Sequence, residues 1–579
     1  MKNKINLSEV FTLTLLSLTI FSILLLFKDK IEGWYFGGAL FLIIVLVFIY
    51  NNFIKRKRNK SSDYINNNLE SINKKKRDFN TINKLFNLLN SKHEKNNIID
   101  DQTFNDLDMQ KVFSKLDYTL STPGEQSLYN LLRNPLYDSF EYEHRKTLIN
   151  LFQKDTTTRN KLQSFLYELG KQYKGDILEL IYTASDVSKH KKFLYNFMFV
   201  LSCLSLISIG FLKQYSVIFI MIVYSINMSI HYKANKNILS QVISITYLSK
   251  VLSCAKNISN LKNENLTYYN DIINTDIEKC HVILKNSRNI SKAEGIDILG
   301  DYFNVFFLSQ VRSYYNIIGD IEDQREYLKE IYSIIGEIDS IISISIYRNL
   351  IKDYVEPEFI DKPCFLEATD LRNPLIENAI PNDFIVNNNG IVITGSNMAG
   401  KSTFLKTLGI NSVLAHTICT CLAKDYKTSY FNIISSISPS DDITKGKSYY
   451  LAEAEAVLRI INSLNDKVST LCIIDEIFRG TNPLERTSAS LEILRYIINK
   501  NAIPVVATHD LEIAELVGDQ YQCYYFSEDV DEENGLKFDY KMKKGISPTR
   551  NAIKLLKYLK YPSIITENAD ERIRHLLES

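Results

Sequence analysis

The sequence predicts an all-α region interrupted by apolar helical hairpins, followed by an α/β domain at the carboxyl end. Three observations carry that reading. Val10–Phe27, Trp34–Tyr50, Leu194–Leu212 and Tyr215–Tyr232 are apolar runs without acidic or strongly basic residues, broken only by His231. Asn235–Tyr354 spaces its apolar residues as long helices do and is almost free of proline. From about Phe359 the texture changes to short β-branched runs bounded by Gly, Asn and Pro. The boundaries are read as 1–60 for a first hairpin with a basic flank, 61–190 for a helical domain, 191–235 for a second hairpin, 236–358 for long helices and 359–579 for the α/β domain.

Composition narrows the classes. The 579 residues hold 68 Lys+Arg against 67 Asp+Glu, a net charge of +1, so no single large basic or acidic surface governs the chain. Nucleic-acid binding, if present, has to come from local patches. A 45% hydrophobic and 23% charged composition is that of a globular protein. The mean hydropathy of −0.11 excludes a transporter built mostly of membrane helices. Eight cysteines without C-x-x-C spacing read as free thiols in a reducing compartment, not as a zinc site or a disulfide framework.

Each apolar run is 17 to 19 residues, close to the roughly 20 that cross a bilayer as a helix. Lys28–Gly33 and Lys213-Gln214 are short connections, so the four runs form two tight hairpins. Buried core helices would show one polar face, and these show almost none. A cleaved leader would show a small-residue site after the first run, where Lys28-Asp29-Lys30 stands instead. Lys2, Lys4, Lys55–Lys60, Lys189–Lys192, Lys233 and Lys236 flank the hairpins, so both enter and leave from the cytoplasmic side. The expectation is a multi-pass protein of a bacterial cell membrane, held by four helices, with everything else cytoplasmic. Lys55–Arg77 carries nine basic and two acidic residues. It is either a solvated stop-transfer flank or a patch for DNA phosphates or anionic lipid, and beside a membrane the flank is the simpler reading.

In the α/β domain, Gly390–Thr394 reads as a buried strand running into Gly395-Ser396-Asn397-Met398-Ala399-Gly400-Lys401-Ser402-Thr403. This is G-x-x-x-x-G-K-[ST] between a strand and an apolar helix (Phe404 to Ala423), the context that makes it a phosphate-binding P-loop. The glycines let backbone N–H groups close around phosphates at a helix N-terminus. Lys401 is expected on the β/γ-phosphates of ATP and Ser402 on Mg²⁺. Leu471–Ile474 is a second strand, ending in Asp475-Glu476. Asp475 is expected to hold Mg²⁺ through water, and Glu476 to polarise the attacking water. A third strand, Ile503–Thr508, ends at His509, which is placed to sense the γ-phosphate.

These spacings resemble the ABC-type ATPases. The L-S-G-G signature of transporters is missing; Asp441-Asp442-Ile443-Thr444-Lys445-Gly446-Lys447-Ser448-Tyr449-Tyr450-Leu451-Ala452-Glu453 stands in its place. That segment resembles the MutS mismatch-repair family, whose pattern is D-D-x-x-x-G-x-S, two bulky residues and a Glu. Asp475-Glu476-Ile477-Phe478-Arg479-Gly480-Thr481 is similar to the family's D-E-x-x-R-G-T. Asn397-Met398, Arg372-Asn373-Pro374 and the tail from Gly545 through Asn551-Ala552 are MutS-like as well. Ser396 and Ala399 depart from the usual Pro and Gly; Ala399 adds only a methyl, so nucleotide binding is expected to survive. Upstream, Leu116-Asp117-Tyr118-Thr119-Leu120-Ser121-Thr122-Pro123-Gly124, Asn134-Pro135-Leu136 and Arg145 resemble the start of the MutS core. Read physically, they make a turn opening an amphipathic helix that stops at Pro135. Ile338-Asp339-Ser340-Ile341, with Pro357 beyond, resembles the return of the family's helical levers to the ATPase.

The resemblance implies a homodimer joined through the ATPase domains, with Ser448 of one copy completing the other's site. A hydroxyl at a helix N-terminus suits that contact, and suits equally a cap on the Tyr449–Asn462 helix. It also implies DNA binding, of mismatched or branched DNA. No F-x-E mismatch-reading motif precedes the core, and the roughly 120 residues of lever leave little room for a DNA clamp. The alternative is an ABC-like membrane ATPase for transport or membrane remodelling that does not touch DNA, or a scaffold that uses nucleotide as a switch.

Overall fold

Asp and Asn open several of the helices, and the side chains of Asp100, Asp155, Asp176 and Asn482 each accept a backbone N–H of the following first turn. The computed structural model describes residues 73–578, apart from 75, 91–97, 184–188, 213, 262, 287–303, 396–399, 438–448, 479–481, 532–534 and 548–551. The first hairpin, Val10–Phe27 with Trp34–Tyr50, lies outside the described residues. The chain divides into two compact units, neither continuous in sequence. One gathers residues up to Leu85, Thr119–Ser127 and Asp155–Ser340; the other gathers Phe86–Tyr118, Leu128–Lys154 and Ile341–Ser579. The sequence reading cuts at 358/359, whereas the structure cuts within the helix Arg325–Ile351 and adds two upstream segments to the second unit.

The first unit is helical. Its longest element is Tyr215–Ser259, 45 residues in one helix. From Val242 onward this helix is core: Val242, Ile245, Leu248, Val251, Leu252, Ala255 and Ile258 recur at three- and four-residue steps and are buried. Its amino-terminal half pairs with Lys189–Ile207 and differs sharply, because Phe193, Phe197, Phe211, Ile218 and Met221 are all more than half exposed. His190–Phe211 and Tyr215–Ala234 are long and apolar enough to cross a membrane. The predicted helix break at Lys213-Gln214 is preceded by a second one, since Lys189–Ile207 ends at Ser208 before the short Ile209–Leu212.

Asp339 ties this unit's helices to the Leu120-Ser121 turn. Its carboxylate accepts the Ser121 N–H (2.8 Å), the Ser121 hydroxyl (2.5 Å) and the Leu120 N–H (3.2 Å). Gly124 is required beside it, because a Cβ there would stand 2.1 Å from Asp339 Oδ2. Burial pushes the Asp339 carboxyl up to about 6, against the pull of those three donors. A raised carboxyl pKa means the folded chain keeps its proton where the unfolded chain has lost it. Stability from this group is therefore full below about pH 4 and declines through about pH 6, by the order of 2–3 kcal/mol. Thermal unfolding at pH 4.5 and 7 checks this: Asp339→Asn is expected to flatten the wild-type decline, and an unchanged pH slope counts against it.

The second unit is α/β. Among the described residues its strands are β1 Glu358–Phe359, β2 Phe365–Leu371, β3 Asn382–Asn387, β4 Gly390–Thr394, β5 Asp425–Thr428, β6 Phe431–Ser436, β7 Ser469–Asp475, β8 Ala502–Ala507, β9 Tyr521–Asp531 and β10 Gly535–Lys544. A small sheet runs β1-β5-β2-β3, and a six-stranded sheet runs β10-β9-β4-β8-β7-β6. In the larger sheet β9, β4, β8, β7 and β6 are parallel, and β10 closes the edge antiparallel. Every residue of β4, β6, β7 and β8 is buried, which is why β4, β7 and β8 read as apolar runs without alternation.

The helix Lys401–Ile418 follows β4 and is buried at fifteen positions, including Lys401. It starts three residues earlier than the Phe404 read from the sequence and ends five before Ala423. Arg348, fully buried, explains its end: the guanidinium donates to the Cys419 carbonyl (2.5 Å), the Thr420 hydroxyl (2.8 Å) and Glu356 (2.8 Å). The Cys419 carbonyl, with that of Ile418 at 3.4 Å, is of the kind that a helix C-terminus leaves unpaired. The upstream helix Ser139–Lys154 reaches the same end, through Arg145 to the Thr417 carbonyl at 2.8 Å.

Candidate active site

The parallel order places the carboxyl ends of β4, β7 and β8 side by side, and the motif residues leave from those three ends. β4 passes into Gly395, whose φ is +135°. A Cβ at Gly395 would stand 2.6 Å from the Phe526 carbonyl oxygen, so the position excludes any side chain on two counts. Gly395→Ala is expected to cost about 1–3 kcal/mol of stability, read as a lowered thermal midpoint; an unchanged midpoint refutes the geometry. Gly400, φ +114°, forms the N-cap of the Lys401–Ile418 helix. Ser396, Asn397, Met398 and Ala399 lie outside the described residues.

Lys401 is 1% exposed, and its ammonium donates to the Gly395 carbonyl at 2.5 Å. A buried cation at a helix N-terminus makes an anion site. Thr403 is exposed, and its carbonyl accepts the Thr407 hydroxyl at 2.7 Å. Thr407 in turn accepts from Asn373 at 3.0 Å, which ties the Arg372-Asn373-Pro374 turn to the Lys401–Ile418 helix.

Asp475 ends β7 and is 6% exposed. Ser402 Oγ donates to Asp475 Oδ2 at 2.5 Å, so a hydroxyl and a carboxylate oxygen stand together at the mouth of the loop. Both are hard oxygen donors, the ligand type Mg²⁺ takes alongside phosphate oxygens and waters. The residues therefore fit the ion.

Glu476 follows in the left-handed region, φ +65°, with its N–H bonded to the Ala507 carbonyl at 2.9 Å. Phe478 is also left-handed, φ +60°. Strain of this kind costs about 1–3 kcal/mol per residue and persists where the surroundings enforce it. It turns the Glu476 carboxylate, 8% exposed, toward His509: Oε1 to Nδ1 is 3.0 Å. His509 stands just past β8, where the Thr508 N–H bonds the Ile393 carbonyl at 2.9 Å and locks this turn to β4. Its pKa is raised, first by the hydrogen bond to Glu476; burial opposes this, and the charges of Glu476 and Asp510 add to it.

Sequence reasoning found five residues that the structure brings together: Lys401, Ser402, Asp475, Glu476 and His509. Ser448 lies outside the described residues. Two neighbours were missed. Arg486, in the first turn of the Pro483–Ile498 helix, donates to Asp510 Oδ1 at 2.8 Å, and Asp510 also approaches His509 Nε2 at 3.6 Å. No spacing in the sequence marks that pair. A cavity of about 440 Å³ was also missed; it opens beside Gly400 and Thr403 and is walled by Ile376, Ile380, Phe404 and Tyr540. Arg372-Asn373-Pro374 was the available signal, since the cavity's loop begins there.

The family model of MutS domain V matches residues 391–577. Among curated proteins, the DNA mismatch repair protein MutS of Clostridium novyi is 29% identical over 284 residues, covering 46% of this chain and 31% of the relative. The DNA mismatch repair protein MSH3 of Vanderwaltozyma polyspora is 26% identical over 295 residues, covering 48% and 28%. MutS of Fusobacterium nucleatum is 31% identical over 219 residues, covering 36% and 24%. The chain thus spans about a third or less of these relatives' lengths. The helical region followed by an α/β sheet domain agrees with the fold read from the sequence, and by its domain V this chain belongs to the MutS family.

Proposed function

We propose that the chain binds and hydrolyses ATP in a composite site made by two copies, that this ATPase is coupled to DNA binding, and that the chain works at a membrane. The observation that carries the ATPase reading is the pairing of Ser402 with Asp475 and of Glu476 with His509 at one end of the parallel sheet. Lys401 and the loop amides would bind the phosphate tail, and the 440 Å³ cavity has the size and apolar walls to take the nucleoside. Mg²⁺, held by Ser402 and Asp475, would neutralise charge on the phosphates. Glu476 would accept a proton from the attacking water, and His509 would hydrogen-bond the γ-phosphate. Ser448 is assigned to the partner's site.

DNA coupling rests on the relatives, which are mismatch repair proteins by name. Membrane attachment rests on the second hairpin. Its exposed Phe193, Phe197, Phe211, Ile218 and Met221 form the kind of surface that water disfavours by about 25 cal/mol per Å². Together with the first hairpin this makes four spans, with the α/β domain in the cytoplasm. The same hairpin favours a second reading, an ATPase that remodels or transports at the membrane and never meets DNA.

ATPase rates with and without heteroduplex or branched DNA, at two salt concentrations, separate the two. Stimulation with salt-dependent affinity is expected, because phosphate contacts release counterions. No binding at low salt removes DNA from the account and leaves the second reading. A reporter fused after Ser579 is expected to read cytoplasmic; an external signal contradicts the hairpin topology.

A further inference from the structure

The pair of Arg486 and Asp510 takes part in none of the steps assigned above, and each stands where its own helix gains nothing from it. Asp510 is the N-cap of the helix Leu511–Leu516, where an aspartate ordinarily accepts N–H groups of the first turn, yet its side chain makes no such bond. Arg486 sits in the first turn of the helix Pro483–Ile498, at the end where the helix dipole disfavours a cation. Local rules broken on both sides of one ion pair point to a task outside either helix.

What the pair reaches is His509. Arg486 Nη2 donates to Asp510 Oδ1 at 2.8 Å, and both side chains are mostly buried, at 14% and 16% exposure. The same Oδ1 stands 3.6 Å from His509 Nε2, while His509 Nδ1 is 3.0 Å from Glu476 Oε1. The imidazole therefore lies between two carboxylates, one facing each nitrogen. The Asp510 N–H bonds the Thr508 hydroxyl at 3.0 Å, and the Thr508 N–H bonds the Ile393 carbonyl of β4 at 2.9 Å. The turn that carries His509 and Asp510 is thus itself pinned to the sheet.

The two distances differ in kind. At 3.0 Å the Nδ1–H donates to Glu476, which decides the way the ring faces. At 3.6 Å Asp510 is beyond hydrogen-bond reach of Nε2, so it attracts the imidazolium without taking its second proton. A carboxylate engaged by a guanidinium in a charge-assisted bond is held off the ring. The charged groups that face the imidazole are Glu476 from the end of β7, Asp510 from the turn after β8 and Arg486 from the Pro483–Ile498 helix. The bond to Glu476 is the largest influence and favours the imidazolium; burial opposes it, the charge of Asp510 favours it and that of Arg486 opposes it.

We infer that Arg486 and Asp510 are positioning residues of the ATPase: Arg486 holds Asp510 at a fixed distance from His509, so that the ring stays bonded to Glu476 through Nδ1 and leaves Nε2–H to the γ-phosphate. This rests on the ATPase reading above. Both residues act through His509. Without Asp510 the imidazolium loses one of the charges that favour it. Without Arg486 the Asp510 carboxylate is free to take Nε2–H itself, and the phosphate loses its donor.

The test combines steady-state Mg²⁺-ATP hydrolysis by the full-length chain in detergent with NMR of its imidazole carbons, the His509 signal being assigned by its loss in His509→Gln. Asp510→Asn and Arg486→Gln are each expected to lower kcat by about tenfold, within the roughly hundredfold that a small misplacement can cost, while KM stays within about threefold. The two variants are expected to move His509 in opposite directions: it titrates lower in Asp510→Asn, which removes an attracting charge, and higher in Arg486→Gln, which frees that charge. The double variant is expected to match Asp510→Asn alone in kcat, because Arg486 acts only through Asp510. A kcat within about twofold of wild type in either single variant, or a His509 titration that moves the same way in both, overturns the inference. If one single variant does not fold, the other is held to its own kcat and its own direction of titration. Glu476→Gln runs alongside: if it hydrolyses ATP normally, the ATPase reading is wrong; if it stops turnover and the Arg486 and Asp510 variants do not slow it, the positioning alone is wrong.

Discussion

Lys401→Ala is expected to raise the Kd for ATP by about a hundredfold or more. The Lys401 ammonium is buried at the start of the Lys401–Ile418 helix and bonded to the Gly395 carbonyl, so it is already held over the loop and loses little freedom when phosphate binds. Charge-assisted hydrogen bonds are worth about 1.5–3 kcal/mol each, and 1.4 kcal/mol is tenfold in affinity. Loss of two such bonds removes binding at micromolar ATP. The fold is expected to survive, because alanine is the best helix former and the helix keeps its apolar face. Isothermal titration, with circular dichroism as the fold check, makes the measurement. ATP affinity within a few fold of wild type in a folded variant contradicts the phosphate role of Lys401.

Glu476→Gln is expected to leave ATP binding in place and to lower kcat by about 10²–10⁴-fold, the range for loss of a positioned general base. Glutamine fills the same space and keeps the left-handed turn, but it cannot accept the water's proton. It also removes the first cause of the raised His509 pKa, so His509 is expected to titrate lower in the variant. The sign follows from the pair: a cation favoured by a carboxylate is most stable below its ordinary pKa, and that stability fades as pH rises through the raised value. NMR of the imidazole carbons across pH 5–8 reads the shift. Normal turnover by Glu476→Gln contradicts the catalytic assignment.

The site was legible where chemistry dictates local sequence. Phosphate binding needs glycines, a lysine and a hydroxyl in fixed order, so Gly395, Gly400, Lys401 and Ser402 announced themselves. Buried parallel strands are apolar throughout, so β4, β7 and β8 were found with their terminal Asp475, Glu476 and His509. The long helices were legible from periodicity, although 215–259 runs straight from exposed apolar surface into packed core, where the sequence reading drew a boundary at 235. What was not legible depends on distant pairing. Nothing near Arg486 foretells Asp510, because a single carboxylate or guanidinium has no periodicity. The split of the units inside Arg325–Ile351 is hidden for the same reason, since that helix has one unbroken pattern.

The composite site is the centre of the account. Its most direct test is the mass of the full-length Glu476→Gln chain in detergent, by size-exclusion chromatography with light scattering, in Mg²⁺-ATP and in Mg²⁺-ADP. ATP that is bound and not hydrolysed is expected to hold two copies together, so a dimer in ATP that loosens in ADP is the predicted result. A mass equal to one copy in ATP at concentrations that saturate binding contradicts it.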